Sequence, residues 1–303
     1  MPGPLDRLLR DESVAAAFET LSSMPGTDLT SLLLAVFRER AGRVTPSDVL
    51  GARERSRFPV PAGAPASALR TAEDRVMGVL RSRFEEVALS PVAPFGAHSA
   101  LGDVDQHNVV SAVRGLEVAA DPTLGLALEA ALARRAIRSE APGSAEPVRR
   151  CAVQPVTRAQ RFDAPDAFAH FTIAGLVTAG RDTGSHAFES ESLADHVASQ
   201  VAALEACGAD RVSVEVADLT DGRLDGLVDV VAGAAPTADV AGGERSAGYY
   251  RSAAFTLRAG FGDREVEVGD GGIVDWTARL LADAKERLMI SGIGLDRVAL
   301  AMG

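Results

Sequence analysis

Apolar residues recur at helical spacing early in the chain. Over Leu29 to Arg40 (LTSLLLAVFRER), Leu33, Val36, Phe37 and Arg40 fall at that spacing, which predicts a helix with Thr27 or Asp28 as its N-cap. A second short helix is predicted from Thr45-Pro46-Ser47-Asp48, with proline in its first turn. Residues 1–58 therefore read as helical. Phe58 to Ala68 (FPVPAGAPASA), with three prolines and no charge, reads as a linker. Thr71 to Glu86 is amphipathic, with Val76, Val79, Leu80 and Phe84 on one side, and predicts a helix. Glu86 to Val92 then reads as a strand with Pro91 inside it, which places that strand at an edge or an interface. One or two strands are expected over 109–120, a helix over 124–138 opened by Asp121-Pro122-Thr123, and a polar loop over 139–149. Strands follow at 150–158 and 169–179, then a helix at 191–207 and a strand at Arg211–Ala217. Short strands near 250–258 and 264–268 lead to a glycine turn at 269–272, a helix at 275–285 and a glycine-containing close, Ser291 to Met302. Strands are joined by loops as often as by helices. That predicts the α+β class, a mixed, mainly antiparallel sheet with helices on one side. The expected domains are a helical N-terminal extension with its linker (1–68) and a catalytic-type domain (69–303).

Composition narrows the chemistry. The 303 residues are 47% hydrophobic and 24% charged, enough for a sizeable core. A net charge of −11 argues against a protein whose main task is gripping nucleic acid. Lys285 is the only lysine, so a GxxxxGK phosphate loop is absent and any anion must be bound by arginine. Cys151 and Cys207 make neither a disulfide framework nor a zinc site. The histidines (His98, His107, His170, His186, His196) lack zinc-ligand spacing, so no metal site is expected from a side-chain cluster. There is no GxSxG, and no GxGxxG follows a strand. No apolar run is long enough to span a membrane, and Asp6, Arg7, Arg10 and Asp11 interrupt the place where a signal peptide needs an apolar core. A cytoplasmic protein is expected.

The strongest local signal is the string from Ile290 to Val298 (ISGIGLDRV). Gly292 and Gly294 let a strand pass close to a ligand or another backbone before turning into a helix. Arg297 on that helix would point back at the same spot, with a fork of donors suited to phosphate. A solvated arginine after a packed turn is the alternative.

That string, GIGLDRVALAM, resembles motif 3 of the class II aminoacyl-tRNA synthetases, where GxGxxR binds the end of ATP. The other class markers follow in order. Helix 71–86 with Glu86 to Pro91 resembles motif 1, whose proline lies at the dimer interface. Thr157-Arg158-Ala159-Gln160, with Phe171 on the next strand, resembles motif 2. The histidyl branch is most similar. Val118 to Thr123 resembles its Leu-Arg-Pro-Glu-Gly-Thr, Arg245 to Tyr250 its Arg-Gly-Leu-Asp-Tyr-Tyr, and Gly271 to Asp275 its Gly-Gly-Arg-Tyr-Asp. The resemblance covers about 70–303 and implies roles. Arg158 would grip the α-phosphate, Arg297 the γ-phosphate end, and Phe171 would stack on adenine. Arg245 would be a catalytic arginine beside the carboxylate. Asp121 and Thr123 would hold an α-ammonium, and Tyr249 and Tyr250 would line the substrate pocket. Pro91 would lie in a homodimer interface.

Departures qualify it. Gln160 replaces the motif 2 acid and can still accept from the adenine amino group. Ile173 and Val177 stand where the histidyl enzymes place polar side chains that recognise substrate. Two lost partners, at roughly 1–3 kcal/mol each, argue against histidine. Gly248 replaces an aspartate, and no anticodon-binding domain follows Arg297 in the sequence.

The implied activity is ATP-dependent activation of an amino acid or other small carboxylate through an aminoacyl adenylate. ATP and Mg2+ would be needed, and the acyl group would pass to an acceptor other than tRNA, such as an amine, a small metabolite or a carrier protein. The second reading is a catalytically idle regulatory relative, similar to the regulatory subunit of ATP phosphoribosyltransferase and paired with a partner enzyme. The third is aminoacylation of tRNA with an amino acid other than histidine. Each residue also has a plainer role available: Asp121 as a helix cap, Tyr249 and Tyr250 as strand packing, Arg245 as a solvated side chain.

Overall fold

The computed structural model describes residues 3–160, 168–246 and 248–303. Four helices open the chain: α1 (Pro4–Leu8), α2 (Glu12–Ser23), α3 (Gly26–Ala41) and α4 (Pro46–Arg55). Local capping sets two of their starts. Asp11 accepts from the backbone N–H of Ser13 at 2.9 Å, and Thr45 and Asp48 form a reciprocal capping box ahead of α4. Helix α3 starts earlier than expected, after Pro25, so neither Thr27 nor Asp28 caps it. None of the four helices carries a buried residue.

Burial begins at Ala64. The next helix, α5 (Ala66–Leu80), starts inside the expected linker and ends six residues early. Its buried side, Ala72, Val76, Met77 and Leu80, is the predicted apolar stripe. The expected strand 86–92 is divided. Strand β1 (Glu85–Glu86) joins the main sheet, and β2 (Val92–Pro94) joins a small one. Pro91 sits exposed between them, where no ladder N–H is needed, and its carbonyl accepts from Ala119 N–H at 3.0 Å. Helix α6 (Ala97–Gly102) follows, then β3 (Ser111–Ala112) and β4 (Leu116–Val118), which complete a small sheet of order β2-β4-β3.

The main sheet is built from β1 and the later strands. Helix α7 (Pro122–Glu140) leads to β5 (Val148–Thr157) and β6 (His170–Arg181), then α8 (Ala187–Ala206) and β7 (Arg211–Asp218). Helix α9 (Leu227–Ala234) and β8 (Asp239–Gly242), absent from the sequence reading, follow. The chain closes with β9 (Ala253–Phe261), β10 (Arg264–Val274), α10 (Trp276–Leu281), β11 (Glu286–Gly294) and α11 (Leu295–Ala301). The strand order is β1-β5-β6-β11-β10-β9-β7-β8; only the outer pairs β1/β5 and β7/β8 are parallel.

Two expectations near the C-terminus are corrected. The glycines at 269–272 are not a turn but the middle of β10. A Cβ at Gly271 would come within 2.7 Å of Ile290 O, and one at Gly272 within 2.5 Å of Tyr250 Cδ1. The glycines are there because β11 and Tyr250 press close, not because the chain reverses. The helix expected over 275–285 stops at Leu281. Ala282 takes the left-handed conformation (φ 49°), and β11 begins at Glu286.

Helices cover both faces of the sheet rather than one. Ala174 and Leu176 of β6 join a core with α5, α8, α9 and α11, whereas Val177 and Ala179 join a second core with α7 and Trp276. Buried polar groups stitch these layers. Arg134 of α7, fully buried, forks onto Glu286 with both bonds at 3.0 Å and donates to Glu146 O and Ser144 O. Among the described residues no helix is long and apolar enough to cross a membrane.

Candidate active site

Strand β6 runs beside β11, with Ile173 opposite Gly294 and Gly175 opposite Gly292. Register therefore puts Phe171, at the start of β6, next to the first turn of α11 and its Arg297. A cleft of about 740 Å³ opens there, within the size range of small-molecule sites. Eight predicted site residues line it: Asp121, Thr123, Arg158, Phe171, Ile173, Tyr249, Tyr250 and Arg297.

Each polar group is held. Asp121 caps α7, its Oδ1 accepting from Thr123 N–H at 2.8 Å and Thr123 Oγ1 at 2.7 Å, while its Oδ2 lies 3.3 Å from Arg158 Nη2. The plain capping role and the site role thus coexist in one carboxylate. Arg158 also donates from Nε to Ala120 O (3.0 Å), and its guanidinium lies 5.1 Å from the centre of the Phe171 ring. Arg297 is exposed and donates to Glu267 O at 2.8 Å.

The tyrosines form one unit. Tyr249 and Tyr250 hydroxyls lie 3.4 Å apart, and their rings are 4.5 Å apart. Burial first, then the charges of Asp121 and Asp270, pushes the Tyr249 phenol up to about 12. Tyr250 is also raised well above the usual phenol range, mainly by burial and Asp270. Both phenols are protonated donors at neutral pH.

Four predicted residues are not in the cleft. Arg245 lies behind Asp270, its Nη2 2.5 Å from Asp270 Oδ2 and its Nη1 on Phe255 O and Thr256 Oγ1, with its guanidinium 4.9 Å from the Tyr250 ring. It is half-exposed and paired with Asp270, a residue that itself lines the cleft. Gln160 is exposed outside the lining. Val177 is fully buried in the α7 core. A Cβ at Gly175 would meet Pro122 Cγ at 2.7 Å, so the first turn of α7 seals β6 before Val177 is reached. Pro91 lies just before β2, beside a second, mainly apolar groove of about 420 Å³ lined by Leu89, Val92 and Leu132, which meets the cleft at Asp121.

Three groups were missed by sequence reasoning. Asp270 lines the cleft and holds Arg245; nothing in its glycine-rich string marks it. Asp296 also lines the cleft. Its Oδ2 accepts from Thr172 N–H at 2.6 Å, its Oδ1 is buried with no partner among the described residues, and burial raises its pKa. Its place directly before Arg297 was the available signal. Below Asp121 lies a buried pair. Glu117 accepts from the His98 backbone (2.9 Å) and contacts the His98 ring, whose Nε2 accepts from Ala120 N–H at 3.0 Å. Burial alone would raise Glu117, but the donors of His98, Gly96 and Gln106 outweigh it and lower its pKa. The pair fixes the backbone that carries Asp121.

Nucleotide fits this donor set. Arg158 and Arg297 line the cleft with Phe171, and the glycine floor leaves backbone accessible. Among the described residues no group of three His, Cys, Asp or Glu is placed to hold a metal ion.

No family model matches the chain, and no curated protein matches it. Solved structures do. An ATP phosphoribosyltransferase regulatory subunit/histidyl-tRNA synthetase from Bacillus halodurans superposes with TM-score 0.62 at 13% identity, covering 82% of this chain and 83% of that one. Histidyl-tRNA synthetase from S. aureus gives 0.59 at 12% identity, covering 81% and 70%. A histidine–tRNA ligase subunit from Alicyclobacillus acidocaldarius gives 0.58 at 14% identity, covering 82% and 97%. The fold is thus class II synthetase-like, of the form seen in histidyl enzymes. At such identities the likeness is one of fold.

Proposed function

We propose that the chain is an ATP-dependent ligase that activates a small carboxylate, an amino acid, as its adenylate and passes the acyl group to an acceptor other than tRNA. One observation carries this: Arg158 and Arg297, 139 positions apart in a chain with one lysine, line one cleft together with Phe171. In the proposed reaction the carboxylate attacks the α-phosphorus, and the bond to the β-phosphate breaks. Arg158 meets the charge that builds on the α-phosphate and Arg297 that at the γ end, each contact worth roughly 1.5–3 kcal/mol. The α-phosphate takes over Arg158 from Asp121, which then receives the substrate's ammonium. Tyr249 and Tyr250 donate hydrogen bonds to the bound acid, and Ile173 gives the pocket an apolar wall that disfavours histidine. Exposed Pro91 and the neighbouring apolar groove support a homodimer.

A second reading, an idle regulatory relative, is favoured by Arg245, whose guanidinium is already taken up by Asp270, Phe255 O and Thr256 Oγ1. Pyrophosphate exchange with a panel of amino acids decides. Exchange with at least one acid is expected; a folded protein that binds Mg·ATP yet exchanges with none would favour the regulatory reading.

A further inference from the structure

The proline-rich segment before α5 is more than a tether. Pro59, Pro61 and Pro65 stiffen it, and Ala64 anchors its end in the main core. From Arg57 to Gly63 it touches both backbone stretches that carry the cleft-lining Arg158 and Phe171. Arg57 donates through Nη2 to Ala159 O, the residue after Arg158. Val60 O lies 2.5 Å from His170 Nε2, the residue before Phe171. Gly63 lies against the ring of Phe168, which lines the cleft; a Cβ at Gly63 would overlap the far end of that ring. Arg57 and His170 are half-buried, so these contacts are partly shielded from water.

We infer that this strap is part of the nucleotide site: Arg57, Val60 and Gly63 are positioning residues that set Arg158, Phe171 and Phe168 from behind. The inference rests on the nucleotide reading above. Gly63 is glycine because any side chain there drives Phe168 across the cleft wall. Arg57 acts as a clamp that fixes the strand end from which Arg158 reaches out.

The test is calorimetric titration of the full chain with Mg·ATP, with melting curves alongside. Gly63→Ala displaces only a ring end, so its melting temperature is expected to match wild type. Its affinity for Mg·ATP falls about tenfold, within the cost of a sub-ångström to 1 Å misplacement. Phe168→Ala also weakens binding, and adding Gly63→Ala to it costs nothing more, because no ring remains to be displaced. Arg57→Ala weakens binding several-fold, and Arg57→Lys, which keeps a donor, restores part of it. Wild-type affinity in both Gly63→Ala and Arg57→Ala overturns the inference while leaving the nucleotide reading intact. Summed losses in the Gly63/Phe168 double variant overturn it too. Wild-type protein that binds no Mg·ATP overturns the nucleotide reading and the inference with it.

Discussion

The helices α1–α4 and the sheet domain that follows are made by different forces. Eleven of the large apolar side chains left exposed among the described residues lie between Leu5 and Phe58, against five in all the rest. The arm has good helical periodicity and capping, yet buries nothing. The sheet domain has weaker local signals, yet buries two cores and a network of charged groups. Local propensity suffices to draw a helix; only tertiary packing makes the structure resist change.

The sharpest break in that contrast is Arg134→Met. It removes the buried fork from Glu286, leaving only Arg181 and Arg138 at 3.5 and 3.8 Å from one oxygen, at a cost of roughly 3 kcal/mol, read as a large drop in the urea midpoint. Next is Arg158→Ala. Losing a charge-assisted phosphate contact weakens Mg·ATP binding by roughly 1.5–3 kcal/mol, about ten- to a hundredfold, with little change in melting temperature. Third is a pH effect. Burial depresses His196 from 6.5 to about 3, its ring lying between Thr178 and Ser291. The folded state binds this proton less readily than the unfolded one. Its stabilising contribution is therefore complete above pH 6.5 and is lost as pH falls towards 3, at about 1.4 kcal/mol per pH unit. Denaturation midpoints measured across that window should slope accordingly, and His196→Asn should flatten the slope. Smallest is Phe37→Ser on the exposed side of α3, expected to change global stability by less than about 0.5 kcal/mol. A large loss there would mean that the arm is buried against something after all.

The same contrast explains what the sequence could tell. Arm helices, α5, α7 and α8 were legible because their signals are local: caps, prolines and apolar spacing. The glycines of β10 were misread as a turn because a turn glycine and a crowded-strand glycine look alike along the chain. What distinguishes them is β11, some twenty residues on. At the cleft, Asp121, Arg158, Phe171 and Arg297 were legible through the order of their motifs. Val177 was misplaced because Pro122, packed on Gly175, closes the face of β6 before it. The pairing of Arg245 was not legible because its partner Asp270 lies 25 residues on, in β10. Pairing between a loop and a distant strand leaves no trace in spacing.

A crystal grown with Mg2+ and a non-hydrolysable ATP analogue bears most directly on the cleft. The base should stack on Phe171, with phosphate oxygens against Arg158 and Arg297 and the Asp121–Arg158 pair opened. Nucleotide bound elsewhere, or a cleft left without it at saturating analogue, would contradict the account.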